Sequence, residues 1–352
     1  MPTDARVVVL PTETAHLRID AVRLPDPGPY QVVVKQFASG VCHSQLHQMH
    51  TPRTEPVVLG HESTGVVVAV GSLVNHVKEG DRVMVTWVPR DLEHMDHPLS
   101  TATLTLADGT TAVSQNVFTW ASATIADEQF VVKMPNDVPT DVTAIIGCAV
   151  MTGAGAVYHT AGVKEKQSVA IFGVGGVGLS AVAGAAAVGA DPIIAVDLSD
   201  EKLEFARKFG ATITVNAGQS DPVARVRELT GGGADFAFDC IGVKATMEQI
   251  LPAVRSGEFG GRSGGTAVLV GVPTTTAELN MIDMLIGEKI YKASIGGSCK
   301  PDRDFPMFLR WYKEGQLDLD ALVTRRFALD QINEATTALQ SGQIAGRSIL
   351  DL

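Results

Sequence analysis

The β-branched run 168–172 leads straight into Gly173-x-Gly175-x-x-Gly178, and this junction constrains the fold more than any other stretch of the chain. An apolar strand that ends in such a turn and opens a helix belongs to a dinucleotide-binding unit. The pattern after it agrees. Strand-like runs at 193–196, 213–215, 236–239, 266–270 and 290–294 alternate with helical ones at 176–188 and 200–209. That alternation predicts a doubly wound parallel sheet, the α/β Rossmann arrangement. Gly173 permits the tight turn, and Gly175 lets backbone approach a pyrophosphate. Gly178 lets helix pack close to strand, and the helix opening at Gly176 turns its N-terminus to the phosphates. Asp197 ends the next strand and is expected on the adenosine ribose hydroxyls. Its charge would repel a 2′-phosphate, so NAD is expected over NADP. Lys202, one turn into the following helix, is read as a solvated charge within reach of the same ribose.

The part before this unit is mostly β. Valine-rich runs at 31–37, 64–70, 82–86 and 130–133 are separated by Gly and Pro, as in Asp26-Pro27-Gly28-Pro29 and Glu79-Gly80-Asp81. Short strands at this spacing predict a small, partly open barrel. The stretch 89–118 is the least regular, and a hairpin is expected around Ala107-Asp108-Gly109-Thr110. Helices are expected at 304–314 and 329–340 and a strand at 347–350, with the tail returning to the barrel. The expected domains are therefore 1–149 with 297–352, and 150–296 for the cofactor.

A length of 352 residues suits two cores. The net charge of −11 disfavours nucleic acid and anionic membrane as partners. No run of 18 apolar residues suggests a membrane span, and the polar start Met1-Pro2-Thr3-Asp4 is not expected to be a signal peptide. The four cysteines, Cys42, Cys148, Cys240 and Cys299, are too few for a disulfide framework. Free thiols fit a reducing, cytoplasmic setting.

Cys42, His61 and Cys148 lie far apart in sequence, each beside glycine: Gly40-Val41-Cys42-His43-Ser44, Gly60-His61-Glu62 and Gly147-Cys148. Two thiolates and an imidazole make a three-ligand zinc site with its fourth position open, the form of a catalytic site. Ligands scattered this widely need a folded domain to assemble them. A metal that stabilises an alkoxide, beside a nicotinamide that accepts hydride, points to alcohol oxidation.

These motifs carry a family resemblance over nearly the whole chain. Gly60-His61-Glu62-x-x-Gly65 followed by Gly71 and Val74, with the Cys42 and Gly147-Cys148-x-x-x-Thr152-Gly153 motifs, resembles the zinc-dependent medium-chain dehydrogenases. The resemblance implies a barrel like that of chaperonin-10 (GroES-like) for the catalytic domain, and zinc on Cys42, His61 and Cys148. It implies that Glu62 is a nearby carboxylate able to approach the metal. Ser44 would take the alcohol proton and pass it, through the cofactor ribose, to His47. His43 and Arg347 would contact the pyrophosphate. Thr152 and Val177 would pack on the nicotinamide, and backbone at Val270 and Val272 would hold its carboxamide. Trp87 and Trp120 would line the alcohol pocket. The run from Asp302 and the turn Leu106-Ala107-Asp108-Gly109 are similar to a bacterial branch acting on aryl alcohols or formaldehyde adducts.

Two departures from the family stand out. Many members hold a structural zinc with four closely spaced cysteines, whereas no cysteine lies between Cys42 and Cys148. One zinc ion per chain is therefore expected, with the 89–118 stretch in place of that loop. Gln45 stands where many relatives have an aspartate that orients the zinc-binding histidine. The reading is an NAD- and zinc-dependent alcohol dehydrogenase for a primary aryl or apolar alcohol, or its aldehyde, in a homodimer or homotetramer. The alternatives are an aldehyde dismutase or thiol-adduct formaldehyde dehydrogenase with tightly held NAD and, in another class, a non-catalytic dinucleotide-binding redox sensor.

Overall fold

The computed structural model describes residues 3–114 and 116–352, which fall into two compact units. The first holds Met1–Cys148, Lys300–Leu309 and Leu319–Leu352; the second holds Ala149–Cys299 and Arg310–Asp318.

The first unit is built on two sheets. In the smaller, Thr3–Leu10 pairs antiparallel with Arg18–Leu24 and continues through Val57–Val58, Thr111–Val113 and Thr103–Thr105. The last two strands form the expected hairpin around Gly109, whose φ of 81° only glycine adopts easily. The larger sheet runs Val131–Lys133, Arg82–Val85, Ser63–Val70, Gln31–Val41, Arg347–Asp351, Val323–Ala328. Its organiser is Gln31–Val41. One edge of this strand pairs with Ser63–Val70. The other edge is shared by Ala123–Asp127 and then Arg347–Asp351. Register shifts at Val33/Val34 and Gln36/Ala38 mark bulges, which bend a strand and let one edge serve two partners. Alternate side chains of these strands close apolar clusters, one around Val33, Phe118 and Ile125, another around Val34, Val83 and Phe130.

The second unit has a six-stranded sheet, parallel throughout, in the order Ile213–Asn216, Ile193–Asp197, Val169–Phe172, Phe236–Asp239, Thr266–Leu269, Ile290–Ala293. The inner strands are buried along their length, as a sheet covered on both faces requires. Strand order reverses on either side of Val169–Phe172, which puts the glycine turn at the topological switch point.

Several elements differ from the sequence reading. The helix expected at 304–314 is Pro301–Lys313, because Pro301 opens its first turn and Asp304 accepts a hydrogen bond from Lys300 N. The helix expected from 329 starts as a 3₁₀ turn, Leu329–Gln331, before Ile332–Gln340. Residues 310–318 side with the second unit, where Trp311 meets Tyr158 edge-on at 5.7 Å. The helix His43–His50 was not anticipated; its polar, histidine-rich sequence reads as a turn. Among the described residues no helix is long and apolar enough to cross a membrane.

Candidate functional site

Strand register delivers the first site. Ser348 lies opposite Val41, which puts Arg347 beside Cys42 at the end of Gln31–Val41. On the other edge Ser39 lies opposite Ser63, and Gly40 N donates to Glu62 O at 3.1 Å, so His61 and Glu62 arrive at the same strand end. Gly60 has φ 97°, and a Cβ there would stand 2.3 Å from Trp120 N; only glycine makes this approach to His61. Cys148 comes from the 3₁₀ turn Val142–Gly147, held where Thr86 Oγ1 donates to Gly147 O at 2.7 Å.

The result brings together one ligand atom each from Cys42, His61, Glu62 and Cys148, all within 4.8 Å of one another. The two sulfurs are 3.9 Å apart. Two zinc–sulfur bonds of 2.3 Å at a tetrahedral angle span about 3.8 Å, so the pair has the separation zinc needs. His61 Nε2 is buried without a hydrogen-bond partner, as a nitrogen reserved for a metal would be. The donor set, two sulfurs and one imidazole, is that of a catalytic zinc site. The three residues expected as zinc ligands are thus brought together with Glu62.

Electrostatics favour one thiolate in the cysteine pair. The hydrogen bond from Cys148 holds the Cys42 thiol well below its ordinary range, with Arg347 and His61 adding to it. Cys148 is pushed up by that same shared proton and by burial. A thiolate beside a guanidinium is ready to ligate a cation once the second proton leaves. Glu62, fully buried, is ion-paired with Arg347. Burial alone would favour a neutral guanidine, but Glu62 and the two cysteines overcome it and keep Arg347 charged. Two glycines make room for the carboxylate. A Cβ on Gly40 would stand 2.4 Å from its carboxyl carbon, and one on Gly147 3.3 Å from its Cβ. Arg347, expected at a pyrophosphate, is thus committed to Glu62 inside the first unit. Its 5% exposure and the buried pair explain that correction.

Ser44, half-buried in the first turn of His43–His50, donates to Cys42 Sγ at 3.3 Å. His43 and His47 are exposed on the same helix. Gln45 is buried and donates from Nε2 to Gln48, leaving its Oε1 without a partner. Trp87 meets His61 edge-on at 6.4 Å, and its indole nitrogen is a buried, unpartnered donor. Trp120 is elsewhere. It is fully buried in a cluster with Leu10, Leu59 and Ile332, and Nε1 donates to Gly40 O at 3.0 Å. Its expected place in an alcohol pocket is corrected to core support for the metal-ligand strands.

The second site lies within the other unit. Gly173 has φ 87°, and a Cβ on Gly178 would stand 1.8 Å from Gly173 O, so strand and helix close on each other there. A Cβ on Gly175 would meet nothing within 4 Å, leaving open space over the start of the helix Gly176–Ala187, which has no side-chain cap. Its free N–H groups carry the positive end of the helix dipole. Val177 is half-buried in that first turn. Asp197 accepts from Val174 N at 3.0 Å and from Leu198 N and Ser199 N at 2.8 and 3.1 Å, which fixes its carboxylate at the turn. Lys202 sits in the first turn of Asp200–Arg207, capped by Ser199. Thr152 Oγ1 is buried and unpartnered on the helix Ala149–Gly155. Val270 is buried, Val272 is half-exposed, and Val270 N bonds Asp239 O.

Asp239 and Ile241 were missed from sequence. Burial pushes Asp239 upward in pKa, and its carboxylate accepts from Ile241 N and Gly242 N. Ile241 packs where a Gly173 Cβ would be, at 2.2 Å. The signal was present: Phe236–Asp239 ends an apolar strand in an aspartate, as Ile193–Asp197 does.

Known proteins carry the same features. Residues 28–136 match the alcohol dehydrogenase GroES-like domain, and residues 176–314 match the zinc-binding dehydrogenase family. The class-3 alcohol dehydrogenase of Cereibacter sphaeroides is 32% identical over 360 residues, covering 93% of this chain and 94% of the relative. The S-(hydroxymethyl)glutathione dehydrogenase of Paracoccus denitrificans is 30% identical, with 93% and 94% covered. The benzyl alcohol dehydrogenase structure from Acinetobacter calcoaceticus superposes with a TM-score of 0.87 at 29% identity over 99% of both chains. With the ligand geometry above, these matches show that the chain belongs to the zinc-containing alcohol dehydrogenases of the medium-chain dehydrogenase family, oxidoreductases that work with zinc and NAD.

Proposed function

We propose that the protein interconverts a primary aryl or apolar alcohol and its aldehyde, with one zinc ion per chain and NAD as hydride carrier. The observation that carries this is the convergence of Cys42, His61 and Cys148, with the two sulfurs 3.9 Å apart. Zinc there would supply a Lewis acid that lowers the pKa of the alcohol, and NAD would accept its hydride. Glu62 holds Arg347 charged, and the guanidinium offers positive charge to the thiolate ligands. Ser44 is the residue that takes the alcohol proton, and His47, three residues on along the helix, relays it outward. Trp87, edge-on to His61, supports a flat or apolar substrate group. In the cofactor unit, Gly173, Gly175, Gly176 and Gly178 cradle the pyrophosphate. Asp197 and Lys202 take the ribose, Thr152 and Val177 the nicotinamide, and backbone at Val270 and Val272 its carboxamide.

We infer self-association at the end of the parallel sheet. Ile290–Ala293 is its last strand, and Met281, Ile282, Leu285 and Ile286 beside it are more than half exposed. An apolar patch on a sheet edge favours a second copy as its cover. A homodimer, or a homotetramer built from it, is the expected state.

The second reading, oxidation of a formaldehyde–thiol adduct, is favoured by the class-3 and S-(hydroxymethyl)glutathione relatives. A panel of benzylic, aliphatic and S-hydroxymethyl thiol substrates, assayed with added NAD and with zinc content measured, separates the two. Highest kcat/KM on benzylic or apolar alcohols at one zinc per chain supports the main reading. Preference for the thiol adduct rejects it. Turnover of aldehyde without added cofactor would indicate a dismutase, and no turnover with any of them a binding protein.

A further inference from the structure

Outside the metal centre, a dense arrangement of titratable groups lies where the irregular 89–118 stretch meets the barrel. The His97 side chain is only 4% exposed, and both ring nitrogens face carboxylates. Nε2 is 3.3 Å from each oxygen of Asp127, and Nδ1 is 3.2 Å from Asp96 Oδ1. A neutral imidazole donates from one nitrogen only, and an ionised carboxylate only accepts. Satisfying both ends therefore requires the doubly protonated ring. Its face lies on Tyr30, with centroids 3.7 Å apart and planes 5° from parallel, where a phenol ring favours a cation.

Asp127 is fully buried and ends the strand Ala123–Asp127. Besides His97 it accepts from Ser100 N at 2.8 Å and Gln129 N at 3.0 Å. One carboxylate thus ties two points of the loop to the barrel. Glu128, the next residue, adds negative potential at His97 and is itself paired with His76 and Arg90. Arg90 reaches on to Asp302 at 2.7 Å. Burial drives His97 toward the neutral ring, but Asp96, Asp127 and Glu128 outweigh it and raise its pKa above the ordinary value.

We propose that charged His97, held between Asp96 and Asp127 and stacked on Tyr30, is a pH-sensitive latch that fastens the 91–101 segment to the barrel. The folded chain holds this proton more tightly than the unfolded chain does. The latch therefore contributes fully below the ordinary histidine pKa of about 6.5 and is lost as pH rises through the higher folded value.

Hydrogen exchange on the full-length, zinc-loaded protein at pH 6 and pH 9, corrected for intrinsic rates, tests this. Amides of 91–101 should lose roughly tenfold protection between the two pH values, while Gln31–Val41 does not change. His97→Gln should be equally unprotected at both pH values. Chelating the zinc should leave the pH response of 91–101 intact, which separates the latch from the catalytic metal. Should His97→Gln fail to fold, nitrogen-15 spectra of the wild-type protein decide the matter. Both His97 nitrogens protonated at pH 6 support the latch. A singly protonated ring at pH 6, or a His97→Gln segment with the wild-type pH response, overturns it.

Discussion

Glu62 and Arg347 are 285 residues apart in sequence and form a buried ion pair beside the zinc ligands. The pair exists because Gln31–Val41 receives Ser63–Val70 on one edge and Arg347–Asp351 on the other. Arg347→Ala should leave a buried carboxylate unpaired and cost about 3–5 kcal/mol, with weaker zinc retention. Glu62→Gln with Arg347→Met should recover most of that stability but not activity. Denaturant unfolding with zinc analysis checks both; an Arg347→Ala protein as stable as wild type would show that the pair contributes little.

Cys42→Ala and Cys148→Ala should each abolish zinc binding and reduce kcat by several orders of magnitude, while NAD affinity holds. Zinc content by mass spectrometry and NAD titration by fluorescence read these separately. Near-normal turnover in a protein without metal would reject the proposed chemistry.

Gly175 and Gly178 should separate cofactor binding from folding. Gly175→Ala meets open space at φ −74°, so stability should hold while NAD affinity falls. Gly178→Ala drives a methyl into Gly173 O and should also destabilise by about 1–3 kcal/mol, as overpacking does. Melting temperature and NAD titration on both variants settle the comparison, and equal melting temperatures would contradict it.

Asp197→Asn keeps the size of the side chain but removes the charge facing a 2′-phosphate. NADP should improve relative to NAD in kcat/KM. The three backbone donors that Asp197 holds make some loss of stability, about 1 kcal/mol, expected as well. An unchanged cofactor ratio would remove Asp197 from the ribose.

The two tryptophans should behave oppositely. Trp120→Phe loses the bond to Gly40 O and core volume, so stability should fall by about 1–2 kcal/mol with the substrate profile unchanged. Trp87→Ala should alter the ranking of alcohols more than the melting temperature. A substrate panel against both variants checks this.

The parallel sheet and its glycine turn were legible in sequence because they depend on local chemistry. Buried parallel strands read as continuous apolar runs, and only glycine satisfies the φ and close approach at Gly173 and Gly178. The candidate zinc ligands Cys42, His61 and Cys148 were legible through their motifs together, each beside glycine, rather than through any one residue. The pairing of Glu62 with Arg347, the core position of Trp120 and the capture of His97 by Asp127 were not legible. Each depends on which strand edges meet, and a shift of one residue in register would turn those side chains to the other face. Sequence set the residue types and the local turns, whereas burial and register, which only tertiary packing decides, determined which charge faces which.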